Sequence, residues 1–311
     1  MFQAKDFIAT HDGLVFAVIA AGLEEQKVCC FLRYANLGNG WQKQNTEQAN
    51  QLLTQKFPHY HFHSQRMDAD CHAVPVADVS QHWQPRHRLG TLLRSPTDDP
   101  VLQDCIAAVR LLIDHDVPQD ALGVTGSLLP GFQQASSDID LVIYDADIFQ
   151  QTRRSIDSLI AQGQFQDLSM HDWLEAYARR GCELSFAEYC WHEKRKRNKF
   201  IFHGRKVDIS LVTPSVETQD QTFRKLGPRC IQAQVLNAEQ AFHYPAVYSL
   251  ALSDIPQLVC FTATYNGQAL AGEWIEAAGH LEVNHQGEQR LVVGSSREAP
   301  GEYIKVLHAN E

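Results

Sequence analysis

Leu122-Gly123-Val124-Thr125-Gly126-Ser127, followed ten residues later by Ser137-Asp138-Ile139-Asp140-Leu141-Val142-Ile143-Tyr144, is the stretch whose reading decides the fold. An apolar run ends in glycine and serine, and a second apolar run opens on two spaced acids. The pattern predicts a strand, a glycine turn, one helical turn over Leu128 to Phe132, a polar loop over Gln133 to Ser137, and a strand. Alternate side chains of a strand share a face, so Asp138 and Asp140 point one way while Ile139, Leu141 and Ile143 point into a core. Two carboxylates on one strand face suit a hard divalent cation. A glycine-serine pair at the start of a helix offers backbone N–H groups and a hydroxyl to a phosphate.

A third acid follows the same logic. Lys206-Val207-Asp208-Ile209-Ser210-Leu211-Val212 places Asp208 on the polar face of another strand. A turn at His203-Gly204 joins it to Phe200-Ile201-Phe202 and brings Arg205 and Lys206 close to it. The order Gly-Ser, Asp-hydrophobic-Asp, then hydrophobic-Asp-hydrophobic resembles the nucleotidyltransferase superfamily typified by DNA polymerase β, over roughly residues 101 to 213. A looser likeness along the whole chain is to a prokaryotic group of predicted nucleotidyltransferases with flanking β-rich segments and no assigned substrate.

The resemblance implies transfer of a nucleoside monophosphate, with AMP from ATP favoured, to an acceptor that is an RNA end, a protein hydroxyl or a small molecule. It implies Mg²⁺ or Mn²⁺ held by Asp138, Asp140 and Asp208, the last on the metal nearer the acceptor. It places the triphosphate on Gly126 and Ser127, with Arg153, Arg154, the run Lys194 to Lys199, Arg205 and Lys206 as candidate cations. Asp145 and Asp147, just past the strand, read as caps of the next helix. Two alternatives stay open: a non-catalytic nucleotide or RNA sensor on the same fold, and a toxin-antitoxin type of transferase, for which the chain is larger than a minimal core.

Working outward, the fold class is α+β: a polymerase-β-like core over residues 96–226, an N-terminal α+β module over 1–95, and a C-terminal β-rich barrel or sandwich over 227–311. The core begins at Ser95-Pro96-Thr97-Asp98-Asp99-Pro100, an acidic cap with proline at the first helical position. Helices are expected over 148–161, 169–180 and 185–197. In the N-terminal module, Asp12-Gly13 between apolar runs marks a hairpin, Lys27 to Tyr34 a third strand, and Asn45 with Gln48 a helix cap. His59, His61 and His63 alternate and read as a solvated strand face, since no nearby acid or cysteine completes a tetrahedral metal set. The segment Val74 to Arg94 carries a short helical piece and no evident chemistry.

Lys194-Arg195-Lys196-Arg197-Asn198-Lys199 is a concentrated basic run in a chain of net charge −10. It reads either as a contact for triphosphate or RNA, with Lys196 and Arg197 foremost, or as a solvated helix end whose cations complement the dipole. From Gly227 onward, six short strands separated by Asn266-Gly267, His285-Gln286-Gly287 and Pro300-Gly301 indicate the barrel or sandwich. Gly294 to Glu298, with Arg297, reads as an ordinary loop. The eight cysteines have no C-x-x-C spacing and read as reduced core thiols. No apolar run approaches the ~18 residues of a membrane span, and the N-terminus lacks a signal-peptide pattern, so a cytoplasmic address without membrane contact is expected.

Overall fold

The structure, a computed structural model, describes residues 1–213, 222–296 and 299–307. In chain order the first part runs β1 (Phe7–Thr10), β2 (Leu14–Val18), β3 (Lys27–Ala35), β4 (Gln42–Lys43), α1 (Thr46–Lys56), β5 (His61–Ser64), β6 (Ala69–Pro75) and β7 (Val79–Trp83). Next come α2 (Pro85–Arg94), α3 (Pro100–Asp114), β8 (Leu122–Thr125), β9 (Ile139–Ile143), α4 (Ala146–Ala161), α5 (Met170–Arg180) and α6 (Phe186–Lys196). The rest is strand: β10 (Lys199–Phe202), β11 (Arg205–Leu211), β12 (Phe223–Gln240), β13 (Ala246–Leu250), β14 (Gln257–Cys260), β15 (Trp274–Asn284), β16 (Gln289–Val293) and β17 (Tyr303–Val306). Six helices and three sheets among the described residues make a mixed α+β protein.

Local chemistry sets the boundaries as the sequence predicts. Asn45 and Gln48 form a reciprocal capping box on α1. Asp99 accepts from Val101 and Leu102 N–H at the start of α3, where Pro100 takes the position whose missing donor costs nothing. Asp145 caps α4 by accepting from Ile148 N–H, so it has the helix role expected of it.

The N-terminal sheet has the order β5-β6-β3-β2-β1-β7, with β4 paired to β3. Its central strands bury both faces. Ile8, Leu14, Phe16 and Leu32 pack with Leu53 of α1 and Tyr60, while Phe7, Ala9, Val15 and Tyr34 pack with Leu129, Trp83 and Phe132. The second face is therefore covered by the segment that follows Gly126-Ser127.

The second sheet has the order β10-β11-β9-β8. β9 and β11 run parallel, while β8 and β10 are antiparallel to their neighbours. Helix α2 lies along β8. A Cβ at Gly123 would meet Pro85 Cβ at 2.8 Å and Val142 Cγ2 at 2.9 Å, so only glycine lets helix and strand approach this closely. The segment between β7 and α3 thus clamps the second sheet, a role its sequence does not announce.

The chain divides into two compact units, one holding the described residues of 1–64, 70–167 and 198–217, the other those of 65–69, 168–197 and 218–311. This differs from three consecutive segments. The doubly buried N-terminal sheet joins the second sheet in one unit, and α5 and α6 go with the C-terminal strands. There His192 accepts from Val306 N–H at 3.0 Å, and Arg195 pairs with Glu273 at 2.6 Å. In that unit, β12, β13, β14, β16 and β15 pair in turn and β15 returns to β12, closing a mixed ring, with β17 added to β15. All six expected C-terminal strands are present. Arg297 and Glu298 lie outside the described residues.

Candidate active site

Register builds the site. In the parallel pair, Asp208 lies beside Asp140; β8 places Thr125 on the other side of Asp140, and β10 places Lys199 beside Asp208. Direct cross-strand partners share a face. Lys199, Asp208, Asp140 and Thr125 therefore form one polar row across the four strands. One step along, Lys206 reaches Asp138 at 2.8 Å between Nζ and Oδ2.

Two like charges in adjacent positions repel, and the electrostatics records it. Burial, followed by the Asp208 carboxylate, raises the Asp140 carboxyl above its ordinary value, against the charges of Lys5 and Lys206. Lys199 Nζ lies 3.7 Å from Asp208 Oδ2. Asp140 and Asp208 are side by side, and Asp138 is drawn to Lys206. Among the described residues, no group of three or more His, Cys, Asp and Glu side chains is arranged to hold a metal ion. A divalent cation nonetheless suits the Asp140–Asp208 pair, because a shared cation would neutralise the neighbouring carboxylate charge that helps raise Asp140. Asp138 would join it by exchanging its Lys206 contact.

Gly126 has φ 64°, and a Cβ built on it would lie 2.1 Å from Asp140 Oδ2. The space that glycine leaves is taken by this carboxylate. The expected helix start at Ser127 is corrected. Gly126–Leu128 is a three-residue 3₁₀ turn. Pro130, which lacks an N–H, and Gly131 at φ 80° follow it, so no helical dipole builds up there. Ser127 remains at the turn, its carbonyl accepting from Phe132 N–H at 2.9 Å.

The cations separate into distinct roles. Arg205 donates to Asp104 Oδ2 at 3.3 Å and to the carbonyls of Ala135 and Ser137 at 2.8 and 2.7 Å, so it braces the loop leading into Asp138 and is not aimed at a triphosphate. Lys196 is only 2% exposed, with Nζ 2.5 Å from Glu193 and 2.9 Å from the Thr264 carbonyl. It is an internal ion pair of the second unit, which removes it from the phosphate-binding set. Arg195 is held by Glu273 and stacks over Trp191 at 4.3 Å, and Arg197 closes α6 in the left-handed conformation at φ 49°. Of the run's residues, Lys194 is exposed, Lys196 is buried, and Arg195, Arg197 and Lys199 are half-buried. The signal missed was the run's neighbours, since Glu193 lies three residues before Lys196 at helical spacing.

Two residues near Asp140 come from the N-terminal part of the chain and carry no motif, Lys5 from the turn before β1 and Tyr34 from β3. The carbonyl of Lys5 accepts from the Thr125 hydroxyl at 2.8 Å. Buried Tyr34 packs against Phe132 at 5.2 Å between ring centroids, and burial first, with a smaller contribution from Asp140, raises its phenol pKa. The histidines divide: His59 lies in a 3₁₀ turn, while His61 and His63 on β5 contact Thr54 and Asp70 at 3.0 and 2.8 Å. Six of the eight free cysteines are buried, Cys182 is half-buried and Cys230 is exposed. No described helix is long and apolar enough to cross a membrane.

The class these observations define is a mixed α+β protein with an acidic pair in a four-stranded mixed sheet. No protein-family model matches the chain, and no solved structure matches it. It is 33% identical to the uncharacterized protein MJ1086 of Methanocaldococcus jannaschii over 335 aligned positions, covering 98% of each chain. The chain belongs to the same family as that protein.

Proposed function

We propose that this protein is a metal-dependent nucleotidyltransferase that moves a nucleoside monophosphate, with ATP the favoured donor, to a hydroxyl acceptor. The observation that carries the reading is the cross-strand pairing of Asp140 with Asp208 on the face that Gly126 and Thr125 border. The order of elements around it, from α3 through β8, the Gly-Ser turn, β9 and β11, supports a polymerase-β-like core.

In the reaction an acceptor oxygen forms a bond to the α-phosphorus. The bond from that phosphorus to the bridging oxygen breaks, and its electron pair leaves with pyrophosphate. In this reading Asp208 takes the acceptor proton. Asp138, Asp140 and Asp208 would hold a divalent cation, which supplies charge neutralisation of the attacking and leaving oxygens when bound. The Gly126-Ser127 turn would meet the β and γ phosphates with its backbone. The acceptor remains one of three classes, an RNA end, a protein hydroxyl or a small molecule, and the basic run supplies no argument for RNA.

One observation favours a second reading, a non-catalytic nucleotide sensor. Lys206 and Lys199 already sit against Asp138 and Asp208, as cations would in a site that binds without turnover. The test is pyrophosphate release and thermal stability with each nucleoside triphosphate and Mg²⁺, in the native protein and in Asp138→Asn/Asp140→Asn. A ligand at ~100 times its Kd adds about 2.7 kcal/mol to the folded state. The transferase reading expects a Mg²⁺-dependent stabilisation and turnover, both lost in the variant. Stabilisation without turnover under any acceptor condition selects the sensor, and no stabilisation by any triphosphate rejects both.

A further inference from the structure

We infer that the turn preceding the N-terminal sheet supplies the acidic site with a phosphate-binding cation, Lys5, which holds the departing pyrophosphate portion of the triphosphate. The inference rests on the transferase reading and adds a binding residue drawn from outside its motifs.

The geometry starts from Thr125. This residue is the cross-strand partner of Asp140 and immediately precedes Gly126. Its hydroxyl donates to the Lys5 carbonyl at 2.8 Å, so the Lys5 backbone lies over the face that carries Asp140 and Asp208. The other side of the residue is fixed too, with Lys5 N–H donating to the Val18 carbonyl at 3.0 Å.

Backbone conformation gives a second, independent observation. Lys5 has φ 73°, in the left-handed region where glycine is at ease and a side chain is not. The residue lies in the turn before β1 and is held there by its two backbone hydrogen bonds. A position whose backbone favours glycine carries instead a long cationic side chain.

The third observation concerns the competing cations. Lys206 contacts Asp138, Lys199 lies by Asp208, and Arg205 is committed to Asp104 and two carbonyls. No hydrogen bond or ion pair to a described residue engages the Lys5 ammonium. As the α-phosphorus bond to the bridging oxygen breaks, negative charge accumulates on pyrophosphate. A lysine whose backbone is anchored on Thr125, the neighbour of Asp140, can bring its ammonium to that charge without itself being a ligand of any metal.

The experiment measures binding of inorganic tripolyphosphate and of ATP, both with Mg²⁺, by calorimetry in the full chain and in Lys5→Gly and Lys5→Arg, with a melting curve for each. Loss of a charge-assisted contact predicts that Lys5→Gly binds tripolyphosphate about tenfold or more weakly. Lys5→Arg should restore most of the affinity. Because glycine suits φ 73°, Lys5→Gly should melt at or above the native temperature, so affinity falls while stability does not. Native-like tripolyphosphate binding by Lys5→Gly overturns the inference and leaves the transferase reading standing. A Lys5→Gly protein that melts lower, together with failure of Lys5→Arg to restore binding, makes Lys5 structural and also overturns it. A native protein that binds neither probe rejects both.

Discussion

Replacing Gly126 with alanine tests the construction of the site at its tightest point. Two costs add. The backbone at φ 64° is left-handed, which costs an alanine about 1–2 kcal/mol. The new methyl would also lie 2.1 Å from Asp140 Oδ2, 3.0 Å from Cγ and 3.1 Å from Cβ, so the carboxylate must rotate away. Forcing one side chain off its rotamer costs about 0.5–1.5 kcal/mol. Gly126→Ala should therefore lose about 1.5–3.5 kcal/mol. For a unit of this size, that corresponds to a fall of about 3–14 °C in melting temperature.

The two parts separate in a double-mutant cycle read by urea unfolding. In an Asp140→Ala background the carboxylate is gone and only the backbone part remains, so the cost of Gly126→Ala should drop by about 1 kcal/mol. An identical cost in both backgrounds refutes the contact with Asp140. A cost below about 0.5 kcal/mol in the native background refutes the backbone argument as well.

Two further predictions follow from the buried charges. Burial and Asp208 raise the Asp140 carboxyl pKa in the native state. The contribution of such a group is fully present below the ordinary carboxylate value and is lost as pH rises through the raised one. Asp140→Asn should then be more stable than the native protein near neutral pH, with an advantage that shrinks as pH falls toward the ordinary carboxylate range; a pH-independent offset in urea titrations refutes this. In the second unit, Lys196→Ala removes a buried ammonium that pairs with Glu193 and donates to the Thr264 carbonyl, and should cost about 3–5 kcal/mol. The variant should keep whatever triphosphate-dependent stabilisation the native protein has, and a selective loss of that stabilisation would return Lys196 to the binding site.

Most individual elements could be read from the chain because their signals are local. Capping residues Asn45, Asp99 and Asp145 fix helix starts through hydrogen bonds within three residues. Alternation alone puts Asp138 and Asp140 on one face, and the His203-Gly204 turn alone predicts the hairpin that carries Asp208.

What each cation does was not legible, because a sequence run does not reveal its tertiary partners. Lys196 and Arg195 look like a surface charge patch until Glu193, Thr264 and Glu273 are brought to them. Arg205 looks like a phosphate ligand until Asp104 and the 135–137 carbonyls surround it. Lys5 lies 120 residues from Thr125 and belongs to no motif.

The sequence by itself determined the strands, the helix caps and the shared face of Asp138 and Asp140, since these depend on backbone periodicity and nearest neighbours. The tertiary structure decided the pairing of Asp140 with Asp208, the filling of the Gly126 space by a carboxylate, and the placement of Lys5 above Thr125. Those features depend on the register between strands distant in the chain and on which face of the N-terminal sheet is covered, and neither is encoded in any single segment.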